Sequence, residues 1–129
     1  MADYAKKNIM ELENSAESFG LAPNLEARFG RKALDGEKGG FSYQRLAPNF
    51  RLPFGHYHDA QEETYVIVEG SGRMKLEDDV IDIKQWDAIR VAPKTKRSFE
   101  AGADGLTFLA FGAGESGDAE TLQDFWPAD

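Results

Sequence analysis

Two histidines, the only two in a chain of 129 residues, lie one residue apart at His56 and His58. Alternate residues of an extended strand point the same way, so both imidazoles are expected on one face, where they can reach one metal ion. Glu63 follows after four intervening residues. Two histidines and one carboxylate form a ligand set used by divalent metals such as Fe(II). The spacing therefore predicts a metal site of His56, His58 and Glu63.

The pattern continues with six residues and then Gly70. The order His-x-His, x4, Glu, x6, Gly resembles the first motif of the cupin superfamily, and the resemblance covers roughly residues 40 to 112. It implies a jelly-roll β-barrel around a central cavity. It also implies a homodimer, because small cupins commonly pair through edge strands. The chain is similar to many small bacterial cupins of unassigned function, and that similarity implies no substrate.

The second cupin motif is expected in residues 87–102, where it departs from the pattern. Pro93 aligns with the motif, but Ser98 stands where the resemblance implies a third histidine. Serine is a poor ligand for first-row metals. The resemblance therefore implies at most three protein ligands, from His56, His58 and Glu63.

Five further side chains are predicted to contact a ligand in the barrel. Tyr65 follows the predicted carboxylate ligand by two residues, so the two share a strand face. If Ser98 faces inward, Lys96 and Glu100 share its side, and an inward Lys96 favours an anionic ligand. The alternative is a solvated, charged turn at the barrel rim. Gln44 and Glu100 are the candidates for a fourth metal ligand from outside the two motifs.

Short apolar-alternating segments separated by turn residues would position this site. Evenly spaced strands of this kind indicate an antiparallel sandwich or barrel, and with the resemblance they predict an all-β, cupin-like jelly-roll barrel. Short helical pieces are expected near the termini, at residues 13–20 and at residues 118–125, the latter capped by Asp118. Residues 8–12 are predicted to form a short strand. The predicted strands cover residues 25–29, 41–46, 62–69, 72–76, 79–83, 87–91, 97–101 and 105–111.

Length and composition predict one domain over residues 1–129. The strand pattern and the cupin resemblance imply a barrel core at about 25–112, with an N-terminal arm at 1–24 and a C-terminal tail at 113–129. A formal charge of −8 argues against a nucleic-acid partner. No cysteine is present, which excludes disulfides and thiolate metal sites. We expect neither a signal peptide nor a membrane span, and we expect a cytoplasmic protein.

Three interpretations of the site stay open. In the first, His56, His58 and Glu63 hold Fe, Mn, Ni or Zn, and an oxygenase or isomerase acts on a small polar or anionic metabolite. In the second, no metal binds, and a histidine serves as general base or hydrogen-bonds an acidic ligand. In the third, the histidines are structural. A non-catalytic, metal-free module that binds or senses a small molecule is therefore the alternative to an enzyme.

Overall fold

The computed structural model describes residues 2–114 and 117–127, so the ends of the predicted arm and tail and residues 115–116 lie outside it. Within these residues the chain is mostly β-strand, which confirms the all-β prediction. Among the described residues we find no helix that could span a membrane. The elements are two 3-10 helices, Ile9–Glu11 and Ser15–Glu17, and the strands β1 Leu25–Phe29, β2 Gly39–Leu46, β3 Phe54–His58, β4 Glu62–Leu76, β5 Asp79–Lys84, β6 Ala88–Val91, β7 Arg97–Ala113 and β8 Ala119–Gln123.

The strands form one antiparallel sheet that curls into a half-barrel. One path through the sheet runs β1-β2-β7-β3-β8, and β4 pairs with β5, β6 and β7. The pairing of β4 with β7 extends from Glu62 opposite Ala113 to Leu76 opposite Arg97. The strand that carries both histidines, β3, pairs with β7 only at His56 and Arg97 and with β8 over its whole length. Its position therefore depends mainly on β8.

The long strands β4 and β7 each join two segments that the sequence predicts as separate strands. The register between them shifts from Ile67 to Glu69 and from Gly70 to Gly72. Gly70 has a φ of 80°, and a side chain there would place its Cβ 2.1 Å from the carbonyl oxygen of Gly105. The predicted turn glycines therefore form β-bulges, which bend a strand without ending it.

The inward face of β4 packs on aromatic residues of β7. Tyr65 and Ile67 are 1% and 0% exposed, which agrees with the predicted face that they share with Glu63. The rings of Phe99 and Phe108 stack at 4.2 Å, and the Tyr65 ring meets Phe99 edge-on at 5.0 Å. Aromatic pairs in such arrangements add stabilisation beyond their buried area. The core thus anchors the strand on which Glu63 lies.

Two local predictions are wrong. The sequence predicts a helix capped by Asp118 at residues 118–125, but Ala119–Gln123 is strand β8, paired with β3. Pairing with β8 satisfies the backbone hydrogen-bonding groups along the otherwise open edge of β3. This stabilisation outweighs the local preference of Asp118 for capping a helix. The sequence predicts a strand at residues 8–12, but Ile9–Glu11 is a 3-10 helix whose cap, Asn8, accepts a hydrogen bond from Met10 N–H. Ser15–Glu17 agrees with the helical turn predicted at 13–20.

Candidate metal centre

The two histidines of β3 and the carboxylate at the start of β4 converge on one point. Their ligand atoms all lie within 4.8 Å of one another. Glu63 Oε1 is 3.4 Å from His56 Nε2 and 3.1 Å from His58 Nε2. The two imidazole rings are nearly perpendicular, at 85°, with centroids 5.2 Å apart. The structure thus brings together the three residues that the motif spacing selects, and the alternation of β3 explains why both rings point one way.

The two ring nitrogens of His58 have different surroundings. Its Nδ1–H donates to Asp118 Oδ1 at 2.8 Å, and its Nε2 is buried with no hydrogen-bond partner among the residues that the structure describes. A carboxylate on one ring nitrogen fixes the tautomer and directs the other nitrogen's lone pair at a metal. The two imidazoles and the carboxylate are donors that suit Fe, Mn, Ni and Zn. The residues therefore fit a divalent ion.

Asp118 is a site residue that the sequence prediction missed. Its Oδ2 accepts the backbone N–H groups of Ala60 and Gln61, each at 2.9 Å. Burial raises the pKa of Asp118, but the hydrogen bonds from these N–H groups and from His58 lower it by a larger amount. The pKa of Asp118 therefore lies well below its usual range. The carboxylate stays ionised and holds the His58 ring. No local pattern identifies this role, because it depends on the pairing of β8 with β3.

We expect Asp118→Asn to weaken zinc binding by about 10–100-fold, the usual effect of losing an outer-shell partner of a ligating histidine. Isothermal titration of metal-stripped protein measures the change. Asp124→Asn is a matched control, because Asp124 is exposed in the same segment and has a positive φ that asparagine tolerates. Equal zinc affinity in both variants would show that Asp118 does not position His58.

Glu63 is held in its ionised form. Burial raises its pKa, but the neighbouring side chains of His56, His58 and Tyr65 lower it well below the usual range. The Tyr65 hydroxyl donates to Glu63 Oε1 at 2.5 Å. Burial and the negative charge of Glu63 raise the pKa of Tyr65, which therefore stays a neutral donor. Tyr65 thus reaches the site through Glu63, and direct ligand contact by Tyr65 stays a prediction.

Arg97 is the second residue that the sequence prediction missed. It is 0% exposed, its Nη2 lies 3.6 Å from Glu63 Oε1, and its Nη1 donates to the Pro93 carbonyl at 3.2 Å. It pairs across the sheet with His56, and such partners share a face. The alignment with the second cupin motif instead selects the next residue, Ser98, as the one that faces the site. Charged residues are rarely buried, so composition favours a solvated arginine here.

The other four predicted ligand-binding residues make their contacts elsewhere. Ser98 is buried, donates to the Phe54 carbonyl at 2.7 Å and accepts from Trp126 Nε1 at 3.1 Å. Lys96 is exposed just before β7. Glu100 forms ion pairs with arginines of neighbouring segments, and the Gln44 amide donates to the Ser42 hydroxyl. In the described ranges none of the four is hydrogen-bonded to the two histidines or Glu63, and their ligand-binding role stays a prediction.

A cavity of about 680 Å³ gives access to the centre. His58 and Glu63 line it, together with the rings of Phe29 and Phe41 and with Arg31 beside β1. A volume of this size suits a small metabolite. Another cavity, of about 720 Å³, is lined by residues of β4, β5 and β7 and by none of the three candidate ligands. The first cavity is therefore the one that matters for chemistry at the histidines.

The thermal stability of metal-stripped protein should depend on pH in both directions. The close Glu63 carboxylate raises the pKa of His58. Burial opposes this shift, and the hydrogen bond to Asp118 adds to it. The resulting stabilisation is complete below the unfolded value of about 6.5 and is lost as pH rises through the folded pKa. Glu63 and Asp118 have lowered pKa values, so their contribution is lost as pH falls below about 4.

We therefore expect the melting temperature of the stripped protein to be highest in mildly acidic buffer. Scanning calorimetry across pH tests this. In His58→Gln the decline on the alkaline side should flatten, because the titrating group is absent. An unchanged alkaline decline in that variant would contradict the assignment.

No model of a known protein family matches the sequence. An uncharacterized protein from Methanocaldococcus jannaschii is 40% identical over 45 residues, which are 35% of this chain and 36% of that protein. A cupin protein from Bacteroides fragilis superposes with a TM-score of 0.71 at 23% identity, covering 100% of this chain and 98% of that one.

A variant of oxalate decarboxylase from Bacillus subtilis superposes with a TM-score of 0.76 at 20% identity, covering 90% of this chain and 32% of that one. At such identities the likeness shows the fold, which is that of the cupins. His56, His58 and Glu63 match the first cupin motif, and they form a compact cluster in the structure.

Proposed function

We propose that this cupin-fold protein holds one divalent metal ion through His56, His58 and Glu63 and uses it on a small polar or anionic metabolite. The observation that carries the proposal is the buried Nε2 of His58. Asp118 orients the ring, and within the described residues Nε2 has no hydrogen-bond partner although it faces Glu63 Oε1 at 3.1 Å. An imidazole nitrogen so placed is unfavourable unless it has a partner, and a metal ion supplies one.

The chain's own residues hold and tune this centre. When bound, the ion would supply Lewis-acid activation or redox chemistry. Tyr65 fixes the orientation of the Glu63 carboxylate, and Asp118 fixes that of the His58 ring. Three protein ligands leave coordination positions for water or substrate, as in catalytic metal sites. Oxygenase and isomerase reactions are the classes that we propose for it.

A metal-free binding module is the second candidate, and Arg97 is the observation that favours it. Its guanidinium lies 3.6 Å from Glu63 Oε1 and already places a positive charge next to the two histidines. In this candidate the arginine, rather than an ion, compensates the buried carboxylate. His56 and His58 would then hydrogen-bond a ligand in the cavity, which makes the protein a binding or sensing module.

The experiment that separates the two compares stripped protein with protein reloaded with Fe(II), Mn(II), Ni(II) or Zn(II). A collection of small polar and anionic metabolites is screened for oxygen uptake, for isomerised products and for a shift in melting temperature. The metal-dependent proposal predicts effects that require one of the ions and disappear in His56→Ala. Shifts of equal size in stripped and reloaded protein would instead establish the metal-free module.

A further inference from the structure

The buried guanidinium of Arg97 has an unsatisfied edge. Nη1 donates to the Pro93 carbonyl, whereas Nε and Nη2 are buried and have no hydrogen-bond partner in residues 2–114 and 117–127. These two nitrogens lie on the same side of the planar group. Leaving buried, charged N–H groups unpaired is costly, so a working protein is expected to supply an acceptor.

Glu63 does not satisfy this edge. The 3.6 Å between Arg97 Nη2 and Glu63 Oε1 is longer than a hydrogen bond. The same oxygen already accepts the Tyr65 hydroxyl at 2.5 Å and faces both histidine Nε2 atoms. Its remaining capacity as an acceptor is therefore small. Two parallel N–H groups on one guanidinium edge match the two oxygens of a carboxylate.

Glu63 lies between the cavity, which it lines, and the Arg97 guanidinium, which it contacts. A ligand anion in the cavity would therefore need only to displace the 3.6 Å contact between Glu63 and Arg97 to reach the guanidinium. The aromatic rings of Phe29 and Phe41 line the same cavity and offer apolar surface to the rest of a ligand. Two cations, Arg31 and Lys32, also line it, together with one further carboxylate, Asp35.

We propose that Arg97 is a specificity-determining residue that binds the carboxylate of the protein's small-molecule ligand beside the histidine centre. The inference rests on the proposed function in that it names the ligand class of the same site. The carboxylate receives the Nε and Nη2 hydrogen bonds, and the remainder of the ligand occupies the cavity. Lys96, which the sequence suggests for anion binding, is exposed outside this cluster.

Isothermal titration with matched probes tests the proposal. The probes are formate, acetate and benzoate, each compared with formamide, acetamide or benzamide, on both stripped and zinc-loaded protein. A charge-assisted pair of hydrogen bonds should make at least one carboxylate bind about tenfold or more tightly than its amide. Arg97→Met should remove that preference. Arg90→Met is the matched control, because Arg90 is an exposed arginine on β6 and should leave the preference unchanged.

The wild-type comparison needs no variant, so the test holds even where Arg97→Met does not fold. Arg97→Lys then serves as a second variant, since it keeps the charge but loses the planar edge, and it should lower the carboxylate preference. The proposal is overturned if no probe binds, if carboxylates and amides bind equally, or if the preference survives in Arg97→Met or is undiminished in Arg97→Lys.

The zinc content of each sample separates this inference from the proposed function. Carboxylate selectivity that depends on Arg97 in a protein that takes up no zinc would support the anion site and refute the metal centre. Zinc uptake at His56 and His58 without carboxylate selectivity would support the metal centre and refute the anion site.

Discussion

Replacing His56 and His58 together by alanine is expected to abolish metal binding. Each imidazole presents Nε2 to the point where Glu63 Oε1 lies, so the double variant keeps a single carboxylate, which cannot retain a transition metal by itself. The loss should exceed the roughly 10–100-fold expected for removing an outer-shell partner. Titration of stripped protein with Zn(II) and Mn(II), followed by elemental analysis after desalting, measures it.

The fold should survive this double substitution. His56 lies at a half-exposed position, and the strand that carries both residues is paired with β8 along its length. Tyr57→Phe is the control, because Tyr57 lies between the histidines and points to the opposite face of the strand. Circular dichroism verifies that both proteins are folded. A folded double variant that binds metal as tightly as the wild type would show that these residues are not the ligands.

A histidine at position 97 is expected to raise metal affinity, whereas a histidine at position 98 is not. Arg97 lies across the sheet from His56 and reaches Glu63, so Arg97→His adds a third imidazole to the cluster and removes a repelling cation. We expect zinc to bind about tenfold more tightly or better, which corresponds to about 1.4 kcal/mol. Competition with a chromophoric chelator measures the gain.

Ser98→His is the matched comparison, and it should lose stability without gaining affinity. The Ser98 hydroxyl donates to the Phe54 carbonyl and accepts from Trp126 Nε1, and a buried imidazole cannot reproduce both contacts in the same space. Adjacent strand residues face opposite ways, so only one of the two substitutions can reach the site. If Ser98→His raises zinc affinity and Arg97→His does not, Ser98 is the residue that faces the site, as the motif alignment implies, and Arg97 is not.

The histidines and the carboxylate could be found from the sequence because their geometry is local. His56 and His58 share a face through the alternation of one strand, and Glu63 opens the next strand along the chain. The inward face of that strand was predictable for the same reason, and Tyr65 and Ile67 are indeed buried.

Asp118 and Arg97 could not be found in this way. Asp118 reads as a helix cap in isolation, and its contact with His58 exists only because β8 pairs with β3 sixty residues away. For Arg97, the choice between two neighbouring positions depends on the register of β7 against β3. A one-residue difference in register reverses every side chain, and nothing in the local pattern sets it.

Strand ends are mispredicted where a glycine bends a strand instead of ending it. Gly70 reads as a turn residue, but its positive φ lets β4 continue through a bulge beside Gly105. Bulges and turns use the same residues for the same conformational reason, and only the pairing partner distinguishes them. The long strands are therefore predicted as separate pieces, whereas the all-β class is predicted correctly.

The most direct test of the metal centre is anomalous diffraction at the zinc absorption edge from crystals of zinc-loaded protein. We expect one strong peak at about 2.0–2.2 Å from His56 Nε2, His58 Nε2 and a Glu63 carboxylate oxygen. We also expect the Nδ1 of His58 to keep its hydrogen bond to Asp118. Zinc bound elsewhere on the chain, with no peak among these three residues, would show that they do not form the metal centre.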